Sequence, residues 1–143
     1  MRVLSGEVTH EGPCRIVLDG GQERARVVPA QFTPTKSTFV TPGDFQQQLG
    51  YIVYAAGEEI RRHRHRPIVR TVVGTNEVVL VRSGRCVVEF FGDTAQLVAA
   101  IEVTTGDVVV FVSGGHGFRM IEDTILIEIK QGPYSPDADK IHF

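Results

Sequence analysis

The sequence predicts an all-β fold of the sandwich or barrel type. From position 50 onward, short segments rich in valine and isoleucine recur at intervals of roughly ten residues, separated by turn-forming Gly, Asp, Ser and Asn. No helical pattern alternates with these segments, which argues against a parallel α/β fold. The regular spacing of the segments and the absence of helical patterns therefore predict the fold class.

The N-terminal part, residues 1–49, predicts a β-hairpin followed by one short helix. Residues 15–18 and 24–28 are strand-like segments on either side of Asp19-Gly20-Gly21, a sequence typical of a tight turn. Residues 41–50 begin with Thr-Pro and end with Gly, the residue types that start and stop a helix, so a helix of barely two turns is predicted there.

Residues 50–130 predict the core barrel as a series of strands. The predicted strands are 51–55, 60–65, 68–73, 78–82, 87–91, 96–104, 107–112, 117–121 and 124–130. The last stretch, residues 131–143, predicts an irregular tail. At 143 residues, without long internal repeats, the chain is most simply one domain, residues 1–143.

Composition narrows the function classes. A hydrophobic share of 42% and a charged share of 22% are those of an ordinary soluble globular protein. The formal net charge of −2 gives no reason to expect a nucleic-acid or membrane partner. Cys14 and Cys86 are too few for a disulfide framework, and no segment resembles a signal peptide or a membrane span. We therefore expect a cytoplasmic protein with reduced thiols.

Three histidines predict a metal site. His63 and His65 lie one residue apart in a predicted strand, where side chains alternate, so both point to the same face. His116 follows another predicted strand and a Gly-Gly turn, and the fold can bring it opposite the pair. Converging neutral imidazoles are typical metal ligands. The alternative is that His63 and His65 are exposed members of an arginine-rich strand.

The segment that contains His63 and His65 resembles the first of the two sequence motifs of the cupin superfamily. The order glycine, His-x-His, glutamate and glycine occurs as Gly57, His63-Arg64-His65, Glu77 and Gly84. The chain departs from the family pattern in one place, because eleven residues separate His65 from Glu77. Either an extra excursion lengthens this connection and Glu77 remains a ligand, or the carboxylate is lost from the metal site.

The second cupin motif also has a counterpart. A glycine, a strand, a glycine turn and a histidine occur as Gly106 to His116, with Val112 at the position of the family's proline. The resemblance covers residues 48–130 and implies a double-stranded β-helix, or jelly-roll, barrel. A narrower resemblance, on His-Arg-His-Arg-Pro, Ser-Gly-Gly-His-Gly-Phe and Lys-Gln-Gly-Pro-Tyr, is to small bacterial cupin-like proteins. Some of these occur beside surface-polysaccharide pathways, which implies carbohydrate metabolism.

The resemblance implies one divalent metal ion, Zn, Fe, Ni or Mn, held by His63, His65 and His116 with Glu77 as candidate fourth ligand. Glu77 shares a strand face with Val79 and Val81, which predicts an inward carboxylate that acts as ligand or general base. The alternative is a solvent-facing glutamate after a turn.

The last predicted strand leaves two arrangements open. Glu128 and Lys130 share one face, and Ile125, Ile127 and Ile129 share the other. If the isoleucines pack outward, Glu128 and Lys130 line the pocket as acid/base or anion-binding groups. The more ordinary arrangement, with isoleucines inward and charges outward, is favoured.

The expected function is therefore that of a small metal-binding cupin that binds or acts on a small polar ligand, such as a sugar derivative or a carboxylate. If the protein is an enzyme, an isomerase, an epimerase or an Fe(II) oxygenase is expected. The alternative is a non-catalytic ligand-binding or assembly barrel without a functional metal, because fold does not decide chemistry. The family resemblance also implies a homodimer.

Overall fold

The computed structural model describes residues 1–135 and 139–143, and the regular structure in these ranges consists of β-strands without a helix. The strands are β1 (Arg2–Gly6), β2 (Val8–Glu11), β3 (Cys14–Asp19), β4 (Gln22–Val28), β5 (Thr38–Phe39), β6 (Gly50–Tyr51), β7 (Glu77–Ser83), β8 (Arg85–Phe91), β9 (Leu97–Thr104), β10 (Val108–Phe111), β11 (Gly115–Met120) and β12 (Ile125–Lys130). The predicted all-β class is confirmed. None of the described residues forms a helix that is long and apolar enough to span a membrane.

The strands form three antiparallel sheets. A four-stranded sheet has the order β1-β9-β8-β11, and a six-stranded sheet has the order β12-β7-β10-β4-β3-β2. The third sheet is the short β5–β6 pair. Strands adjacent in sequence, such as β8 and β9, pair in one sheet, whereas the connections β7–β8 and β10–β11 cross between the two large sheets.

The core lies where the inner faces of the two large sheets meet. Phe90, Ile101 and Val103 of the four-stranded sheet are fully or almost fully buried, and so are Val27 and Val109 of the six-stranded sheet. Each buried side chain of this size stabilises the fold by about 1.5–3 kcal/mol relative to exposure. The strands are mostly buried along their length, as in β4 and β10, and the apolar segments between turn residues are the pattern that predicts their positions.

The hairpin predicted around Asp19 is confirmed. Strands β3 and β4 pair with Asp19 opposite Gln22, so Gly20 and Gly21 form a two-residue turn. Both glycines have positive φ, 57° and 84°, a region that other residues adopt at a steric cost. The Gly-Gly pair therefore sets the register of this hairpin.

The helix predicted over residues 41–50 is wrong. Side chains in this segment bond to its own backbone instead: Gln48 Nε2 donates to the carbonyl oxygens of Pro42 and Phe45, and Leu49 N donates to Thr41 Oγ1. Such local bonds compete with the helical hydrogen-bond pattern, and a two-turn helix has little cooperativity with which to resist them.

The strands predicted at 51–55, 60–65 and 68–73 are also wrong, apart from the Gly50–Tyr51 pair in β6. Every residue from 54 to 75 is exposed and belongs to no strand. We call this segment the arm. Its composition favours β structure, but a strand exists only when another strand supplies the hydrogen-bond partners, which composition does not reveal. The strands predicted from 78 onward are confirmed, with small shifts of their ends.

Candidate functional site

A cavity of about 900 Å³ opens at the free edges of the two large sheets, and its walls come from several strands. Glu77 and Val79 of β7 contribute one wall, and His116 of β11 faces them. Glu128 of β12 and residues 139–143 of the tail close the sides. The cavity brings together two of the three catalytic candidates, Glu77 and Glu128, and two of the four metal-ligand candidates, Glu77 and His116.

Glu77 is an inward carboxylate, as the alternation along its strand predicts. It is the first residue of β7, where it pairs with Phe111 on one side and Lys130 on the other. Only 5% of its surface is exposed, and Val79 and Val81 on the same face belong to the core. The alternative, a solvent-facing glutamate, is therefore wrong.

His116 points into the cavity and is held by aromatic side chains. Its imidazole stacks on Phe111 at 3.8 Å between ring centroids, and Phe118 approaches edge-on at 5.8 Å. Burial lowers the pKa of His116 below its ordinary value, and the negative charge of Glu77 only partly offsets this effect. The apolar surroundings therefore favour the neutral imidazole, which is the form that binds metal ions.

Glu77 and His116 bring two potential ligand atoms together. Glu77 Oε2 lies 2.9 Å from His116 Nε2. Within the described ranges the buried Oε2 accepts no well-aligned hydrogen bond, and its one close polar neighbour is His116 Nε2. A buried carboxylate oxygen without a donor costs free energy, typically about 1–3 kcal/mol or more for a charged group. The geometry therefore favours a ligand that Oε2 can bind.

Glu128 lines the cavity, and Lys130 lies beside it in a cluster of ion pairs. Lys130 Nζ lies 3.7 Å from Glu77 Oε1, 3.5 Å from Glu128 Oε2 and 3.8 Å from Asp139 Oδ2. Burial lowers the pKa of Lys130, but the attraction of Glu128 and Glu77 outweighs that effect and raises it. Lys130 is therefore a cation at neutral pH.

The favoured arrangement of the last strand, with isoleucines inward, is wrong. Ile125, Ile127 and Ile129 are all exposed, and Ile125 is the most exposed of the three at 59%. Glu128 lines the cavity, and Lys130 makes the ion pairs described above. The face of β12 that carries charge therefore points inward, where Leu126 on the same face packs against the core and Glu128 lines the cavity.

The turn before His116 is fixed by a buried arginine that the sequence did not identify. Arg24 Nη1 donates to Asp93 Oδ1 at 2.8 Å and to Ser113 Oγ at 3.3 Å, and its Nη2 donates to Asp19 at 2.7 Å. Ser113 Oγ in turn donates to the carbonyl oxygen of Glu23 at 2.9 Å. In the sequence Arg24 is simply a polar residue of a hairpin, and nothing local signals its burial.

The C-terminal residues form a wall of the cavity that the predicted irregular tail did not anticipate. The ring of Phe143 lies edge-on to Phe91 at 5.4 Å, and a Cβ atom added to Gly115 would lie 2.8 Å from Phe143 Cζ. The glycine thus leaves the space that Phe143 occupies. Periodicity does not identify such a contact, because the tail has no regular repeat.

His63 and His65 lie on the exposed arm, away from contact with Glu77 or His116. Their rings are edge-to-face at 5.3 Å, and His63 Nδ1 lies 3.0 Å from the carbonyl oxygen of Arg61. In residues 1–135 and 139–143, no group of three His, Cys, Asp or Glu side chains is placed to hold a metal ion. The structure therefore brings together Glu77 and His116 but leaves the His63–His65 pair outside the cavity.

Comparisons of the chain with protein families, with curated proteins and with solved structures found no match. Membership of the cupin superfamily therefore stays a prediction from the two motifs.

Proposed function

We propose that this chain is a small cupin that binds one divalent metal ion in the cavity. The ligands are Glu77 and His116 from the body of the fold, together with His63 and His65 from the arm. The observation that carries the proposal is the buried Glu77 Oε2, which has no hydrogen-bond partner in the described part of the chain and lies 2.9 Å from His116 Nε2.

The distance between these two atoms suits two ligands of one ion. Metal–nitrogen and metal–oxygen bonds of about 2.0–2.1 Å that meet at an angle of about 90° separate the two ligand atoms by about 2.9 Å. Imidazole and carboxylate together suit Zn, Fe, Ni or Mn. The low pKa of His116 favours the same outcome, because metal and proton compete for one nitrogen.

The size of the cavity and its polar side chains indicate the class of ligand that it binds. A volume of about 900 Å³ accommodates a small molecule such as a monosaccharide derivative. Glu77, Glu128 and His116 give the cavity hydrogen-bonding groups, and Lys130 lies beside it as a cation paired with Glu77 and Glu128. The proposed ligand is therefore a small polar molecule, such as a sugar derivative or a carboxylate.

The same residues support an isomerase or epimerase. A bound metal ion would polarise a substrate carbonyl and so acidify the adjacent C–H group. Glu128, which lines the cavity and is partly exposed, can accept the proton from that carbon. Lys130 can stabilise the negative charge that develops on the substrate oxygen.

Metal analysis of the purified protein tests this proposal. We expect about one ion per chain in protein prepared without a nickel column, and a strong loss of that ion in Glu77→Gln and in His116→Gln. The matched control is His10→Gln, because His10 is exposed on β2 and does not line the cavity. Equal metal content in all four proteins would refute the metal site.

A metal-free binding barrel is the second candidate, and one observation favours it. The chain Lys130–Glu77–His116 already joins a cation, a carboxylate and an imidazole through contacts of 3.7 and 2.9 Å. Such a row can hydrogen-bond a small polar ligand without a metal. This candidate predicts that a chelator changes neither the melting temperature of the protein nor its metal content, whereas a metal-binding cupin loses stability when the chelator is added.

A further inference from the structure

The arm, residues 54–75, combines an apolar and basic sequence with exposure along its whole length. Val69 is 97% exposed, and Ile68 and Val73 are exposed as well. The hydrogen bonds that the structure gives to residues 55–74 all lie within that segment, as in the bond from Glu58 N to the carbonyl oxygen of Ala55. Exposed apolar side chains clustered on one extended segment are typical of a surface that binds a partner.

Two open sheet edges flank the cavity. In the described residues, β11 pairs only with β8, and β12 pairs only with β7. His116 lies on β11 and Glu128 on β12, so a strand added at either edge would border the cavity. Strand addition at an exposed edge gives backbone hydrogen bonds as well as pockets for alternate side chains.

Charge complementarity favours the arm as the strand that these edges receive. The arm carries five arginines and two glutamates, a formal charge of +3, while the whole chain carries −2. The rest of the chain therefore carries −5. The exposed acidic groups of Glu122, Asp123 and Glu128 lie on or beside β12. A positively charged arm is attracted to an acidic body at moderate ionic strength.

We propose that the occupant is the arm of a second copy, so that two chains exchange arms and complete each other's cavities. The arm is anchored at both ends in its own chain, by the β5–β6 pair and by the bonds of Asn76 with Gln46 and Gln131. Residues 55–72 make no hydrogen bond to the rest of the described chain, and the 22 residues of the arm can reach out and back over about 35 Å. Its last residues, Gly74 and Thr75, border the cavity. In a two-fold symmetric pair, each chain gives one arm and receives one, so the arrangement closes at two copies.

The exchange joins the two halves of the metal site across the dimer. His63 and His65 of one copy meet Glu77 and His116 of the other, and neither copy has a complete site alone. The exposed isoleucines Ile125, Ile127 and Ile129 give the incoming arm an apolar surface next to the edge it joins. This inference rests on the proposed metal-binding function for the site itself, but the arm exchange makes a prediction of its own about assembly.

The first test is the oligomeric state of the full chain by analytical ultracentrifugation at micromolar concentration. We expect a dimer, and we expect a monomer when residues 56–73 are replaced by a short Gly/Ser linker. The matched control is Arg82→Gln, an exposed strand residue outside the arm, which should leave the dimer intact. A monomeric full chain, or a linker variant that stays dimeric, would overturn the inference.

The second test mixes two defective variants by co-expression. The arm variant carries His63→Ala with His65→Ala, and the body variant carries Glu77→Gln with His116→Gln. Each binds no metal alone. If arms are exchanged, random mixing makes about half of the dimers hybrids of the two variants. Each hybrid has one intact site and one defective site, so the metal content returns to about a quarter of the wild-type value. Without exchange, every site keeps a defect.

The outcomes separate the inference from the proposed function. If the wild type binds metal but the mixture of variants contains none, the arm exchange is refuted and the metal site is not. Docking of the arm within its own chain would give this result. A dimeric wild type without metal refutes the proposed function. In that case the linker variant decides the exchange, since its oligomeric state does not depend on metal.

Discussion

Replacing Gly114 by alanine tests whether the turn before His116 is as tightly constrained as the structure indicates. Gly114 has a φ of +76°, a region that costs an L-residue about 1–2 kcal/mol. A Cβ atom at this position would also collide with the carbonyl oxygen of Phe91, which is backbone and cannot rotate away. The structural shifts that such a clash forces typically cost about another 1–3 kcal/mol of stability.

The expected loss in the free energy of unfolding is therefore about 2–5 kcal/mol for Gly114→Ala. Gly12→Ala is the matched control, because Gly12 has a φ of +55° but no atom within 4 Å of an added Cβ. That substitution is expected to cost only the backbone share, about 1–2 kcal/mol.

Urea unfolding followed by far-ultraviolet circular dichroism measures both variants. The difference between them isolates the collision with Phe91, because the backbone cost is common to both. A second readout is metal content, since a displaced turn moves His116 away from Glu77. Equal destabilisation of the two variants would refute the reasoning, as it would mean that the Phe91 carbonyl yields at no cost.

Three further predictions concern the buried charges and thiols. Arg26→Met is expected to destabilise the fold by about 3–5 kcal/mol in urea unfolding, because it leaves Glu23 partly buried without its cation. Glu11→Gln is expected to cost at most about 1 kcal/mol because Glu11 is largely exposed. Its bond to Arg26 lowers the pKa of Glu11 below 4.5, so the wild-type advantage should be present above pH 4.5 and lost as the pH falls through the folded-state pKa. Burial raises the pKa of the Cys14 and Cys86 thiols, so a thiol reagent at pH 8 should label the native protein far more slowly than the urea-unfolded protein, and equal labelling rates would contradict their burial.

The strands of the body were predictable because their signal is local. Alternation along residues 77–81 places Glu77, Val79 and Val81 on one face, and the structure buries all three. The Gly20-Gly21 turn was predictable for the same reason, since two consecutive residues with positive φ require glycine. Patterns of two to seven residues thus predicted most of the sheet.

The parts that failed depend on partners distant in sequence. Residues 60–73 have strand composition, but no neighbouring strand pairs with them in the structure. Arg24 is buried because Asp19 and Asp93 surround it, and Asp93 lies sixty-nine positions away. Phe143 lines the cavity because Gly115 leaves room for its ring. Local periodicity contains no information about such contacts.

The orientation of β12 shows how these two kinds of information combine. Sequence parity correctly separated Glu128 and Lys130 from the isoleucines, but it did not decide which face points inward. That decision depends on Glu77, whose Oε1 lies 3.7 Å from Lys130 Nζ across the β7–β12 pair and so favours a cation at the inner face. Once the charges point inward, the isoleucines must face outward at a free sheet edge, and an exposed apolar strip there requires a covering surface. The orientation of β12 therefore has two consequences. It places Lys130 next to Glu77, and it leaves an outward apolar face that the arm of a second copy would cover.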